Sequence, residues 1–241
     1  MSCPLKCLAS QVIVITGATS CIGLTTARMA SRQGATLVLA AGNATTLDRL
    51  ASEIRQAGGK VVAVPVDVAA LDQVTDLGRT AMQHFGRIDT WINAGMAMDD
   101  LDEVTPAPVA ARLFTAHYWG ARHGARVARS LMEQDGGAII NLDSDASARH
   151  GVKGVTDTLR AAIDTDGAPV SVTLVHAAGR NNMCNAPRQV AQAILQAAEH
   201  AQRDIVVDGA ALTPARGAIH VAPRLLDKIM ALIAPHQPQK A

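Results

Sequence analysis

VIVITGATSCIG, residues 12–23, is the stretch on which the fold turns. Its first five residues are all β-branched, and a glycine follows them, so they read as a buried strand. A helical pattern begins just beyond. Glycine lets the chain turn tightly there and lets backbone N–H groups approach a pyrophosphate at a helix amino end. Gly17, Thr19, Ser20, Cys21, Ile22 and Gly23 are therefore candidate phosphate contacts. Their spacing, Gly17-x-x-x-Cys21-x-Gly23, departs from the general Gly-x-Gly-x-x-Gly dinucleotide pattern.

The same strand-then-helix unit recurs along the chain. Strands are expected at VIVIT (12–16), TLVLA (36–40), KVVAVPV (60–66), TWIN (90–93), AIINL (138–142), VSVTLV (170–175) and DIVVDG (204–209). Helices are expected near 22–33, 45–57, 70–85, 106–133, 153–165, 187–202 and 219–233. Such alternation implies right-handed βαβ units and an α/β fold. The expected architecture is a Rossmann-type, doubly wound parallel sheet of about seven strands with helices on both faces. No linker or repeat divides residues 1–241, so one domain is expected, with 234–241 as a frayed tail.

Composition narrows the function classes. Hydrophobic residues make up 49% of the chain and aromatics only 2%, which suits a parallel sheet packed with Ala, Val, Leu and Ile. The net charge is +1 with no basic block, which argues against nucleic acid or an anionic membrane surface as partner. No apolar run reaches the roughly 18 residues that span a bilayer. The amino end lacks a signal-peptide layout, because VIVIT is short and leads into the loop, so a cytoplasmic location is expected. Cys3, Cys7, Cys21 and Cys184 form no C-x-x-C pair; free thiols and no metal site are expected.

Several segments, in order, resemble the short-chain dehydrogenase/reductase family. TGATSCIG (16–23) resembles its TG-x-x-x-G-x-G loop. Asp67-Val68 stands where the family's aspartate binds adenine, and INAG (92–95) resembles its NNAG cofactor floor after GRID (86–89). GGAIINLDS (136–144), APVSVTLVH (168–176) and RDIVVDG (203–209) resemble its later strands. The resemblance implies NAD(P)(H) as cofactor, held by the loop residues above with Asn43, Asp67, Val68, Asn93, Ala94 and Gly95. Two departures leave open that binding is weak or lost. Cys21 replaces the middle glycine of the loop, and its side chain crowds the pyrophosphate approach. LAAGN (39–43) ends the second strand with neither the arginine nor the acid that selects NADP or NAD, so no preference is readable.

The family reduces carbonyls or oxidises alcohols with a Ser, Tyr, Lys and usually Asn constellation. Hydride transfer leaves an alkoxide that needs a proton, and a tyrosine beside a lysine supplies it. Ser144 matches the serine. His117, in AHYWGA (116–121), occupies the asparagine's place. An ungapped count puts Asp157 and Ala161 at the Tyr and Lys positions. The only tyrosine, Tyr118, lies beside His117 in an earlier helix and reads as core packing. A gapped register fits better: KGVTDTLRAAIDTDGAPVSVTLVH (153–176) resembles the back half of the family's helix and its next strand. Roughly a dozen residues are then missing between Gly151 and Lys153, up to about 18 Å of chain if helical. The family's Pro-Gly turn has become Ala177-Ala178, and little of its substrate-covering segment remains in AAGRNNMCN (177–185).

The resemblance therefore implies an NAD(P)-binding protein with an incomplete catalytic set and little standard oxidoreductase activity. One alternative is remodelled, non-redox chemistry around Ser144 and His117, on a rim that includes Asp143, Asp145, His150 and His176. Another is an atypical oxidoreductase using substitute residues. The small-molecule ligand is not readable. A homodimer or tetramer is implied, through an altered interface.

Overall fold

A computed structural model describes residues 5–95, 107–143, 146–178, 187–208 and 211–214, with side chains over 5–95, 115–143, 151–177 and 187–207. The elements run β1 (Val12–Thr16), α1 (Cys21–Arg32), β2 (Thr36–Ala41), α2 (Ala44–Gln56), β3 (Val61–Pro65), α3 (Leu71–Phe85), β4 (Thr90–Asn93), α4 (Ala107–Met132), β5 (Gly137–Asp143), α5 (Ala146–Asp166), β6 (Val170–Ala178), α6 (Pro187–Glu199), β7 (Asp204–Asp208) and β8 (Ala211–Pro214).

The sheet order is β3-β2-β1-β4-β5-β6-β7-β8. The first seven strands are parallel, as expected of βαβ units, and β8 pairs antiparallel with β7. β8 was not expected, because Ala-Leu-Thr-Pro carries little of the β-branched signal that marks the other strands. The order reverses between β1 and β4. In such sheets that switch point opens a crevice at the carboxyl ends of the strands, where ligands bind.

Each strand is apolar on both faces because helices cover both. One layer joins Ile13, Ile15, Leu37, Leu39, Ile92, Ile140 and Val175 to α1, α2 and α6. The other joins Val14, Val38, Trp91, Ile139 and Val172 to α3, α4 and α5. Trp91, fully buried, is the bulkiest side chain of that second layer in a chain otherwise short of aromatics. Helix ends follow from local chemistry. Ser20 and Asn43 cap α1 and α2 by accepting backbone N–H groups. Gly86, at φ 71°, closes α3 in the left-handed conformation that glycine takes without strain.

α5 begins at Ala146, seven residues before the expected helix at 153, and follows β5 after only two intervening residues. Gly151 and the polar run before it look like a loop in sequence; within the helix, Val152 and Thr156 are both fully buried one turn apart. Farther along, Arg160 is buried and donates to the carbonyl oxygens of Val172 and Arg203 and to the Asp204 carboxylate. Those bonds fasten α5 to β6 and β7. The expected helix at 219–233 and tail at 234–241 lie outside the described residues. Among the described residues, no helix is long and apolar enough to cross a membrane.

Candidate dinucleotide site

The glycine loop is built against the end of β4. Gly17 sits at φ 67°, and a Cβ there would lie 2.1 Å from the Ala94 carbonyl oxygen. A Cβ on Gly23 would lie 2.2 Å from the Gly17 carbonyl oxygen. Both contacts are backbone to backbone, so neither position accepts a side chain without moving the loop. Ser20 Oγ accepts the Gly23 N–H at 3.0 Å and donates to the Ala94 carbonyl at 3.5 Å, locking loop, helix and floor together. A helix leaves its first N–H groups without intrahelical partners, and here they open on the crevice at the sheet's switch point. Thr19, Ser20 and Cys21 are half-buried, while Ile22 is buried in the core.

Cys21 corrects the expectation of free thiols: it is disulfide-bonded, while Cys7 is free. Its partner lies outside the described residues. Spacing looks for neighbouring C-x-x-C pairs, and Cys21 belongs to none. Sulfur at the first turn of α1 therefore stands fixed beside the phosphate approach.

The floor residues divide their work. Asn93 is 3% exposed and points inward. Its Oδ1 accepts from Trp91 Nε1 at 2.9 Å and Thr16 Oγ1 at 3.2 Å, and its Nδ2 donates to Asn141 Oδ1 at 2.8 Å. Asn141 Nδ2 in turn donates to Thr156 Oγ1 at 2.9 Å. This buried chain of amides and hydroxyls ties β1, β4 and β5 to α5, so Asn93 supports the floor from below while Ala94 and Gly95 form its backbone. Gly124 leaves room for it: a Cβ there would lie 2.1 Å from Asn93 Oδ1. Asn141 and Thr156 were not among the expected site residues. A polar residue inside AIINL was the one available signal, since an amide in an apolar strand must find a buried partner.

His117 packs directly behind Gly95, whose Cβ would fall 2.1 Å from His117 Nδ1. The ring is 3% exposed, so it backs the floor instead of lining an open mouth. Tyr118 is half-buried and meets Trp119 edge-on at 5.3 Å, with Arg122 over the Trp119 ring at 4.9 Å. Ser144 and Asp145 lie outside the described residues, as does the side chain of His150.

The adenosine end is sparsely charged. Asn43 Oδ1 accepts the Thr46 N–H at 3.0 Å, and Asp67 Oδ1 accepts the Ala69 N–H at 3.0 Å. Both residues stay exposed just beyond β2 and β3. His123 Nδ1–H donates to the Val68 carbonyl at 3.2 Å. Burial holds the His123 imidazole below its usual pKa; the Val68 carbonyl opposes that shift, and Arg122 and Arg126 add to it.

At the opposite end, Asp143 on β5 and His176 on β6 stand opposite each other in the strand register. His176 Nδ1 lies 3.1 Å from Asp143 Oδ2; the carboxylate side chain is 0% exposed and the imidazole 17%. Sequence reasoning placed both on the rim but had no means of pairing them.

These features define a Rossmann-type α/β domain whose glycine-rich turn lies at the switch point. The model of the short chain dehydrogenase family matches residues 11–181. An uncharacterized oxidoreductase of Bacillus subtilis, YxnA, is 37% identical over 272 residues, covering 96% of this chain and 74% of that protein. Taking this chain's 241 residues from those 272 positions, at least 31 face gaps here. 11-beta-hydroxysteroid dehydrogenase A of Sesamum indicum is 34% identical over 143 residues, covering 58% of this chain and 41% of its own length. Among solved structures, a metagenomic short-chain oxidoreductase in complex with NADP superposes with a TM-score of 0.70 at 24% identity, covering 82% of this chain and 96% of that one. A short chain dehydrogenase from Mycobacterium avium superposes with a TM-score of 0.73 at 23% identity, covering 92% and 94%. The chain belongs to the short-chain dehydrogenase/reductase family.

Proposed function

We propose that this protein binds NAD(P)(H) across the β1–β4 switch point and performs ordinary carbonyl–alcohol oxidoreduction weakly or not at all. Gly17, Thr19, Ser20, Cys21, Ile22 and Gly23 hold the pyrophosphate. Asn43, Asp67 and Val68 border the adenosine, and Asn93, Ala94 and Gly95 form the floor. The observation that carries the binding half is the backbone fit of Gly17 against Ala94 and of Gly23 against Gly17, which leaves neither position room for a side chain. When bound, the dinucleotide supplies or takes up hydride at its nicotinamide.

The catalytic half rests on what stands between β5 and α5. No tyrosine follows Tyr118 in the chain, and α5 starts two residues after β5. Losing a general acid–base group costs about 10²–10⁴-fold in rate. Ser144 remains a candidate substrate-side residue, His117 backs the floor behind Gly95, and a homodimer or tetramer is the assembly we propose.

Titration of NAD(H) and NADP(H) by fluorescence or calorimetry tests the first half. Absence of binding at millimolar dinucleotide overturns it. Steady-state assays with simple ketones and alcohols test the second, and turnover of about 1 s⁻¹ or faster, ordinary for enzymes, overturns it. Light scattering that reports a monomer removes the assembly.

A further inference from the structure

We infer that His176, oriented by Asp143, is the proton donor for whatever slow hydride chemistry this site supports. The inference rests on the dinucleotide-binding reading above. A fully buried carboxylate is costly unless it is paired, and here one ring nitrogen of a partly exposed imidazole meets it at 3.1 Å. The pair is not needed to join the strands. Parallel backbone bonds already do so, and the preceding register pair, Leu142 opposite Val175, is apolar. Its place has another logic. It closes β5 and β6 at their carboxyl ends, on the half of the sheet beyond β4, where the second mononucleotide of a dinucleotide lies in folds of this order.

Among the described residues, Asp143 is the one charged side chain bonded to His176. Val206 of β7 stands opposite it in register. Below it, Leu174 packs on Val152 of α5 and Ala121 of α4. The Arg160, Asp157 and Asp204 cluster lies farther down, where Leu174 pairs with Asp204. Nδ1 is committed to Asp143, and Nε2 has no hydrogen bond among the described residues, so Nε2 is the nitrogen that can reach a ligand.

The step balances as follows. With a reduced dinucleotide bound, its nicotinamide would supply a hydride to a carbonyl carbon, so that a C–H bond forms as the C=O π bond breaks. The carbonyl oxygen takes a proton from Nε2 of the imidazolium. The dinucleotide is oxidised, the carbonyl becomes an alcohol, and the neutral imidazole regains its proton from water. Asp143 is a positioning residue: it fixes the ring through Nδ1.

The test is single-turnover oxidation of enzyme-bound NADPH and NADH by 4-nitrobenzaldehyde, cyclohexanone and ethyl acetoacetate, alongside a separate dinucleotide titration. Wild type is expected to oxidise the bound dinucleotide slowly with at least one probe. His176→Ala and His176→Gln, the latter keeping a bond to Asp143, are expected to lose about 10²-fold or more with dinucleotide affinity retained. Added imidazole restores part of the His176→Ala rate. Asp143→Asn lowers the single-turnover rate while dinucleotide affinity is retained, because the ring loses the carboxylate that orients it. Unchanged rates in both His176 variants, or no oxidation by any probe while dinucleotide still binds, overturn this assignment alone. Failure of wild type to bind dinucleotide overturns the binding reading and the assignment with it.

Discussion

Asn93 and Asn141, on adjacent parallel strands, share a hydrogen bond of 2.8 Å with both side chains shielded from solvent. Removing either amide takes a buried partner from the other. Asn141→Ala leaves Asn93 Nδ2 only the Ala121 carbonyl at 3.5 Å, and a poorly satisfied buried group costs about 1–3 kcal/mol. Urea unfolding should show a loss of that size, and a variant as stable as wild type contradicts the supporting role of this chain of bonds.

Gly17→Ala places a methyl 2.1 Å from the Ala94 carbonyl at a backbone angle that L-residues avoid. The left-handed conformation alone costs about 1–2 kcal/mol, and the overlap forces the loop off β4. Dinucleotide affinity should fall at least tenfold in a fluorescence titration. An affinity within twofold of wild type speaks against this loop as the phosphate site.

Cys21 offers a test by reduction. Its disulfide holds sulfur at the first turn of α1. Dithiothreitol, or Cys21→Gly, should tighten dinucleotide binding severalfold by clearing the approach to the helix N–H groups. If neither treatment moves the dissociation constant, the cysteine does not obstruct the nucleotide.

His123 reports on the floor of the adenosine end. Its imidazole is held below the usual pKa chiefly by burial. A depressed folded pKa means that the unfolded chain binds the proton more readily. His123 therefore favours the fold fully above the unfolded pKa, near 6.5, and loses that contribution as pH falls through the folded value. A proton NMR titration should place its midpoint under 6.5. A midpoint at or above that value shows that burial does not dominate.

The strands and the glycine turn after β1 were legible because their signals are local. VIVIT, TLVLA and TWIN are β-branched or apolar runs bounded by turns, and the loop glycines sit beside the strand they serve. The start of α5 was not, because Gly151 and polar neighbours mimic a loop until Val152 and Thr156 find a core to face. The partnership of Asp143 with His176 was equally hidden, since only the register of β5 on β6 brings residues 33 apart to one height. The bridge at Cys21 and the edge strand β8 likewise depend on what the chain meets in space.

Arg160 has a consequence for how this family changes length. Its bonds reach β6 and β7 from the back half of α5, so that half is moored independently of where the helix begins. Whole turns can then be removed from, or grafted onto, the front of α5 while the sheet keeps its register. The chain is accordingly a recipient in which a transplanted Tyr-x-x-x-Lys turn could be tried at the front of α5 while Arg160 holds the rest of the helix.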